Sequence, residues 1–155
     1  MVGSLLRGIM CTVTLLASGC GFSGQPSIAV DSVAVTDLGE EFVGVDIALS
    51  LSNGGTHAIR LVEFTYDVVA DGVLVYHGRH APGNTLPPKA TVATQIPAVL
   101  PANDGPMSWH VVGHVVYVSP SALAQTLLDS GVATPTAAFE GRGTLAPTTG
   151  ETPQG

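Results

Sequence analysis

The sequence predicts a mostly β (α+β) fold, an immunoglobulin-like antiparallel β-sandwich of about seven strands with one late helix. Three observations predict it. Apolar residues recur at every second position over most of residues 28–145, which is the period of a strand. Gly, Asn and Asp residues that form turns interrupt this alternation at short intervals. One segment, residues 120–130, has helical spacing instead. Short strands with frequent turns are typical of a sandwich.

The first two strand candidates are Ile28–Thr36 and Val43–Leu51. In the first, alternation predicts that Ile28, Val30, Ser32 and Ala34 share one face and that Ala29, Asp31, Val33 and Val35 share the other. The second is the clearest strand, with five apolar side chains on one face: Val43, Val45, Ile47, Leu49 and Leu51. Asn53-Gly54-Gly55 then predicts a turn, because these residues tolerate positive φ.

A hairpin is predicted over Val62–His77. Ile59–Val69 alternates, with Val62, Phe64, Tyr66 and Val68 on one side. Asp71-Gly72 is a compact turn signal, and Val73–His77 is the returning strand. Arg79–Lys89, which contains three prolines, is predicted as an irregular loop. It is either a crossover between sheets or a docking surface.

The remaining strand candidates are Thr91–Val99, Met107–Val118 and Thr136–Leu145. Between the last two, Pro120–Ser130 predicts a helix that begins after the N-cap Ser119 and ends at Gly131. Its apolar residues Leu123, Ala124 and Leu127 are expected to pack on a sheet. Residues 147–155 are Pro, Thr, Gly and Gln with one Glu, and we expect a disordered tail.

Composition limits the partners of the chain. The 155 residues are 45% apolar, which excludes a fully disordered protein, and their number suits one domain. Five Lys and Arg stand against twelve Asp and Glu, so the formal net charge is -7. Nucleic-acid binding requires clustered basic residues that replace phosphate counterions. We therefore expect no nucleic-acid partner.

Residues 1–19 have the features of a secretory signal. Arg7 supplies a positive charge, residues 8–17 form a short uncharged apolar run, and the small residues Ala17, Ser18 and Gly19 follow. This run is too short to span a bilayer, for which a helix needs about 20 apolar residues. The sequence therefore predicts an exported protein.

Leu16-Ala17-Ser18-Gly19-Cys20 resembles the lipobox of bacterial lipoproteins, although Ala17 stands where that family usually has Leu. In that family the signal is cut before the cysteine, which then carries acyl chains. The resemblance implies that Cys20 is the lipidation site and that residues 20–27 are a lipidated tether. The other cysteine, Cys11, lies inside the signal, so we expect no disulfide. A plain secretory signal with an incidental Cys20 is the alternative.

The same resemblance implies a place in the cell envelope, lipid-anchored to a membrane. Gly21, rather than Asp, follows the cysteine. By resemblance to Gram-negative lipoproteins, this implies the outer membrane, facing the periplasm, where the host has two membranes. Several acyl chains, at about 0.8 kcal/mol per buried methylene, attach a protein durably without a spanning helix.

Residues 28–146 resemble the late-embryogenesis-abundant (LEA) type 2 group, also called the water-stress and hypersensitive-response (WHy) domain. The resemblance depends on the order of features: ALSLSNGG (residues 48–55), VEFTYDVVADGVLVYHG (62–78), Leu86-Pro87-Pro88, a strand that reaches Ile96-Pro97, and a Gly-centred strand (111–117). The family usually has Asn-Pro where this chain has Asn53-Gly54. The resemblance implies an immunoglobulin-like sandwich and a part in desiccation or stress tolerance, with no catalytic residues to carry over.

We expect no metal, cofactor or catalytic site. The five histidines are His57, His77, His80, His110 and His114. His110 and His114 share a strand face but lie about 13 Å apart at 3.3 Å per residue, and His77 and His80 meet only if Gly78-Arg79 curls. No serine lies in a G-x-S-x-G elbow, and no Gly-rich stretch has the phosphate-loop spacing.

Two hypotheses for function follow, and both are non-enzymatic. In the first, the domain is a stress-protection module of the envelope. In the second, it is an adaptor that binds another envelope protein through a strand edge or a loop. Phe64-Thr65-Tyr66-Asp67 resembles the FxLYD pattern, which implies a different immunoglobulin-like sandwich family for the adaptor.

Overall fold

The computed structural model of the chain describes residues 24–118, 126–127, 129–131 and 134–147. The predicted signal 1–19, Cys20, most of the predicted helix and residues 148–155 of the predicted tail lie outside these ranges. The described part contains eight strands. They are β1 (Ser27–Leu38), β2 (Phe42–Ser52), β3 (Ile59–Ala70), β4 (Val73–His80), β5 (Thr85–Leu86), β6 (Thr91–Pro101), β7 (Met107–Val118) and β8 (Thr136–Leu145).

The strands form two antiparallel sheets, which confirms the predicted β-sandwich. One sheet has the order β1-β2-β6, and the other has the order β4-β3-β7-β8, with β5 paired to β3. At the two open sides of the sandwich, β1 lies beside β8 and β4 lies beside β6. The hydroxyl of Tyr66 on β3 donates a hydrogen bond to the carbonyl of Pro97 on β6, so one side chain joins the two sheets.

The core lies between the sheets and is built from alternating side chains. All five apolar residues that were predicted to share one face of β2 are buried. They face Phe64, Tyr66 and Val68 of β3, which belong to the same cluster. The predicted register of these two strands is therefore confirmed, apart from Val62.

Two corrections come from β-bulges, which insert one residue and reverse the alternation beyond it. The β1–β2 register shifts between Val30 and Ser32, so Val33 packs against the core together with Ile28 and Val30. The two-face assignment predicted for residues 28–35 is therefore wrong beyond Asp31. In β3 the register shifts between Leu61 and Glu63, so Leu61 is buried and Val62 is exposed.

The predicted loop Arg79–Lys89 is also corrected. Strand β4 continues through Gly78 and Arg79 to His80, and the short β5 pairs with β3. Gly78 fits in the strand because it lies opposite Tyr66, whose large ring fills the space above it. The irregular backbone is limited to residues 81–84 and 87–90.

The two predicted turns differ in geometry. Asp71 and Gly72 have φ of 47° and 82°, and two positive φ angles are what a tight hairpin turn requires, so this turn is confirmed. Asn53-Gly54-Gly55 does interrupt the chain after β2, but neither of its glycines is among the residues with positive φ. Hydrogen bonds of the Asn53 side chain hold this turn instead.

Only the end of the predicted helix is described. Thr126, Leu127 and Asp129 are helical, and the Ser130 amide donates to the Thr126 carbonyl at 3.0 Å. Gly131 follows with φ of 70°, as expected of a helix C-cap. Leu127 is exposed, so its expected packing on a sheet is wrong. No helix within the described ranges is long and apolar enough to cross a membrane.

The connections between strands lie at two opposite ends of the sandwich. The tether end is the end where the described chain begins at Gly24, and it includes residues 53–60 and 86–90. The three-turn end, opposite to it, consists of the β1–β2, β3–β4 and β6–β7 connections (residues 38–42, 70–73 and 101–107). Hydrogen bonds from the Ala102 amide to the Glu41 carbonyl and from the Asp71 amide to the Ser108 carbonyl, both 2.9 Å, link these connections.

Candidate functional site

The predicted lipidation site, Cys20, lies outside the described residues, but the position at which the chain joins the domain is described. Gly24 lies beside Gly55 at the tether end, where a Cβ added to Gly55 would be 3.7 Å from the Gly24 Cα. Ser27, at the start of β1, pairs with Ser52 at the end of β2. The segment that follows Cys20 therefore meets the sandwich at one end.

Asn53 fixes the backbone of the tether end. Its side chain is 2% exposed, and its amide donates to the carbonyls of His57, Leu86 and Pro87 at 2.8, 3.2 and 3.0 Å. Its side-chain oxygen accepts the Gly55 amide at 2.9 Å. A buried polar side chain is stabilising only when it is hydrogen-bonded, and both the nitrogen and the oxygen of the Asn53 side chain have hydrogen-bond partners. It joins the β2–β3 connection to the segment after β5.

A cavity of about 230 Å³ lies beside this loop. The Lys89 ammonium donates to the Gly54 carbonyl, and the Lys89 amide donates to the Gly55 carbonyl at 3.2 Å. Lys89 itself has φ of 54°, an unusual angle for a residue with a side chain. The lining residues are Gly24, Gly54, Gly55, Thr56, His57, Ile59 and Lys89. The single ammonium already has a carbonyl partner, so the cavity is a feature of the loop's packing and has no set of catalytic groups.

The outer face of the five-stranded sheet carries cross-strand pairs of acidic and basic side chains. The Arg79 guanidinium on β4 binds Glu63 on β3 at 2.7 Å, and His77 lies opposite Asp67 with 2.5 Å between Nδ1 and Oδ1. Both histidine and carboxylate are largely exposed to solvent in the second pair. Exposed pairs of this kind contribute about 0–1 kcal/mol and chiefly keep a sheet face polar.

A second group on this face lies between β7 and β8. Glu140 accepts hydrogen bonds from Arg142 at 2.7 Å and from His110, whose Nε2 is 2.9 Å from the same carboxylate oxygen. The hydrogen bond from Arg142, followed by that from His110, lowers the pKa of Glu140. Because both partners hold the carboxylate ionised, Glu140 is poorly suited to donate a proton as a general acid.

The histidines do not come together. His77 and His110 each have a carboxylate partner, and His80 lies opposite Phe64, near the end of β4. His114 lies opposite Thr65 and Ala138, and His57 is in the tether-end loop. Among the described residues, no three His, Cys, Asp or Glu side chains are close enough to hold a metal ion. The absence of a metal stays a prediction for the whole chain.

Asn53 and the acid–base pairs on the outer sheet face were not identified from the sequence as functional or structural sites. The signal for Asn53 was present, because a polar residue directly after a strand with a buried face must find partners for its amide. Pairs such as Glu63 with Arg79 depend on the β3–β4 register, which the bulge between Val68 and Val69 modifies.

No protein-family model matches the chain, and no curated protein matches it in sequence. Solved structures do match. A protein of Arabidopsis thaliana, solved in solution, is 19% identical with a TM-score of 0.62, and the match covers 96% of this chain and 97% of the other. A structure described as that of a candidate late embryogenesis abundant (LEA) protein is 13% identical with a TM-score of 0.58, covering 81% and 73%.

A crystal structure of a protein from Archaeoglobus fulgidus also matches, with 12% identity, a TM-score of 0.53 and coverage of 80% of this chain and 97% of the other. At these identities the likeness shows a shared fold. The LEA-like sandwich expected from the order of sequence features is supported at that level.

Proposed function

We propose that this protein is a non-enzymatic, lipid-anchored module of the cell envelope whose LEA type 2/WHy-like domain protects the envelope during desiccation or a related stress. The observation that carries the proposal is the fold shared with the candidate LEA protein. It agrees with the order of motifs over residues 28–146. Protection of this kind requires an exposed, folded surface and no catalytic groups.

The position of Gly24 supports anchoring through Cys20. The four residue-to-residue steps from Cys20 to Gly24 span at most about 14 Å when extended, so a lipid on Cys20 would hold the tether end close to the bilayer. Arg60 and Lys89 lie at this end. Basic side chains near an anionic membrane surface contribute about 1 kcal/mol each, so the charges favour the same orientation.

Intact-mass measurement of the membrane fraction tests the anchor. The mass should exceed that of residues 20–155 by the mass of the acyl chains, and Cys20→Ser should release the protein from the membrane. Cys11→Ser, within the predicted signal, is the matched control and should leave the anchoring unchanged. Unmodified protein that begins at another residue would contradict the proposal. In a host with two membranes, we expect the protein in the outer-membrane fraction.

Survival after drying tests the protective role. Cells that lack the protein should survive drying and rehydration less well than cells complemented with the full chain. Cells complemented with Cys20→Ser should resemble the cells that lack it, because the domain would no longer be held at the membrane. Equal survival of all three strains would exclude a protective role, even if the mass measurement supports the anchor.

A further inference from the structure

The four most exposed large apolar side chains of the described residues lie in the connections of the three-turn end or, for Leu74, directly beside one of them. They are Leu38 at 66%, Val73 at 64%, Phe42 at 59% and Leu74 at 59% exposure. Single exposed apolar residues are common on protein surfaces, but their concentration at one place indicates an interaction surface. Phe42 is the most informative member, because aromatic side chains are enriched in interfaces.

These side chains belong to adjoining elements. Leu38 and Phe42 flank the β1–β2 turn, and Phe42 pairs with Pro101 at the end of β6. Strand β6 lies beside β4, which begins at Val73. The two strands run in opposite directions along the side that Tyr66 bridges to Pro97, so the end of β6 and the start of β4 lie at the same end of the sandwich.

The same end is acidic. Five carboxylates lie in or next to the three connections: Asp37, Glu40, Glu41, Asp71 and Asp104. The segments 37–42, 70–74 and 99–107 contain no Lys or Arg. Asp71 is partly engaged, since its carboxylate accepts the Ser108 amide at 2.8 Å and the Ser108 hydroxyl at 2.9 Å. An apolar patch surrounded by carboxylates is complementary to apolar side chains surrounded by basic ones.

We infer that the three-turn end is a docking surface for a protein partner that presents apolar side chains among Lys and Arg. A membrane surface is a poor occupant, because anionic lipids repel five carboxylates. A second copy of this chain would place the same carboxylates against each other. The remaining C-terminal residues, 148–155, contain Glu151 and have no Lys, Arg or large apolar residue to offer this surface.

This inference goes beyond the proposed function and does not depend on the lipid. If Cys20 is the anchor, the three-turn end lies at the far side of the sandwich from the membrane and is open to partners in the envelope. If the anchor test fails, the surface and its charges are unchanged, and the partner would be sought wherever the chain is exported.

Site-specific photo-crosslinking in intact cells that make the full chain tests the surface. A photoreactive amino acid is placed at the position of Phe42 or of Leu74, both at the three-turn end. Matched controls carry it at Ser32 or Ala138, which are exposed on the two sheets away from this end. Equal resistance of each variant to brief protease treatment of the cell lysate shows that the substitutions preserve the fold.

We expect positions 42 and 74 to form an adduct with the same protein, through a peptide that contains Lys or Arg beside apolar residues, and positions 32 and 138 to form none. Glu40→Gln/Glu41→Gln should lower the adduct yield about three- to tenfold, because two of the five carboxylates lose the charge that attracts a basic partner. Ala93→Lys/Gln95→Lys changes the net charge by the same +2 elsewhere and should leave the yield unchanged.

Several results would overturn the inference. They are an adduct formed equally from all four positions, no protein adduct from 42 or 74, an acidic crosslinked peptide, an adduct with lipid, or an adduct with a second copy of this chain. Loss of yield in both charge variants would also overturn it, because the effect would then reflect net charge and not the three-turn end.

Discussion

Tyr66 is the residue on which the relation between the two sheets most depends. Its ring is buried, its hydroxyl reaches the Pro97 carbonyl of the opposite sheet, and its ring centroid is 6.1 Å from that of Tyr76. Burial, followed by the neighbouring Tyr76, raises the pKa of Tyr66 well above its ordinary value of 10.0. The folded state therefore holds the phenol proton more tightly than the unfolded state does.

We expect the domain to lose stability above about pH 10, through Tyr66. A group whose pKa is raised on folding contributes stability that is complete below its unfolded pKa and is lost as the pH rises toward the folded pKa. Tyr66→Phe should cost about 1 kcal/mol at pH 7, from the lost hydrogen bond, and should reduce the decline above pH 10. Part of the decline should remain in Tyr66→Phe, because burial also raises the pKa of Tyr117. Urea unfolding of the chain from Gly21 onward, between pH 7 and 11, measures both effects; identical pH profiles would contradict this role.

Individual residues were predictable from the sequence when their role depended on alternation alone. Ile47 and Leu49 are buried as predicted because no bulge interrupts β2 against β6. Asn53 and Tyr66 were not assigned their roles, because their partners lie 31 to 34 residues further along the chain. Which carbonyl a polar side chain meets depends on how the sheets stack, and local periodicity contains no information about that.

At the scale of elements, the sequence predicted where most strands lie more reliably than it predicted which face of each strand is buried. Alternation gave β7 and β8 their observed limits, but it could not show the bulges after Val30 and Leu61. A bulge satisfies pairing and packing between two strands, so it depends on both partners. For the same reason the sequence placed a loop at Gly78-Arg79, where the pairing of β4 with β3 continues the strand.

Glycines opposite aromatic residues are a recurring feature of the five-stranded sheet. Gly78 on β4 and Gly113 on β7 both lie opposite Tyr66, and Gly143 on β8 lies opposite Trp109. A Cβ added to Gly78 would be 2.4 Å from the Tyr66 ring, and one added to Gly143 would be 2.5 Å from the Trp109 ring. Each large ring thus occupies the space that the cross-strand neighbour leaves open.

Gly78→Ala should therefore destabilise the domain by about 1–3 kcal/mol, because the Tyr66 ring is held by Pro97 and cannot move away freely. Alanine is otherwise better than glycine within a strand, so the expected loss is a purely steric effect. Gly54→Ala is the matched control: no atom lies within 4 Å of its added Cβ, and we expect a change below about 0.5 kcal/mol. Denaturant midpoints measure both variants. Equal midpoints would mean that Tyr66 does not pack over Gly78.

At the scale of the molecule, charge and exposed apolar surface are unevenly distributed. Arg60 and Lys89 lie at the tether end, and five carboxylates with four exposed apolar side chains lie at the three-turn end. The carboxylates and the exposed apolar side chains are all visible in the sequence. However, they belong to three connections that lie about 30 residues apart along the chain. Only the strand order brings the connections to one end, so the surface could not be predicted from composition or motif.

We expect the folded domain to contain no metal and to be indifferent to chelators. The five histidines lie on β4, on β7 and in the tether-end loop, and two of them already bind carboxylates. A ligand stabilises a protein only when it binds the native state, so removal of a metal that is not bound leaves the melting temperature unchanged. Paired thermal melts of the chain from Gly21 onward, with and without EDTA, together with elemental analysis, test this. Cys20 is outside that chain, so any metal found would be held by the domain itself. A stoichiometric metal, or a melting temperature lowered by EDTA, would contradict the prediction. It would direct attention to the histidines of β4 and β7 in the larger sheet, which are His77, His80, His110 and His114.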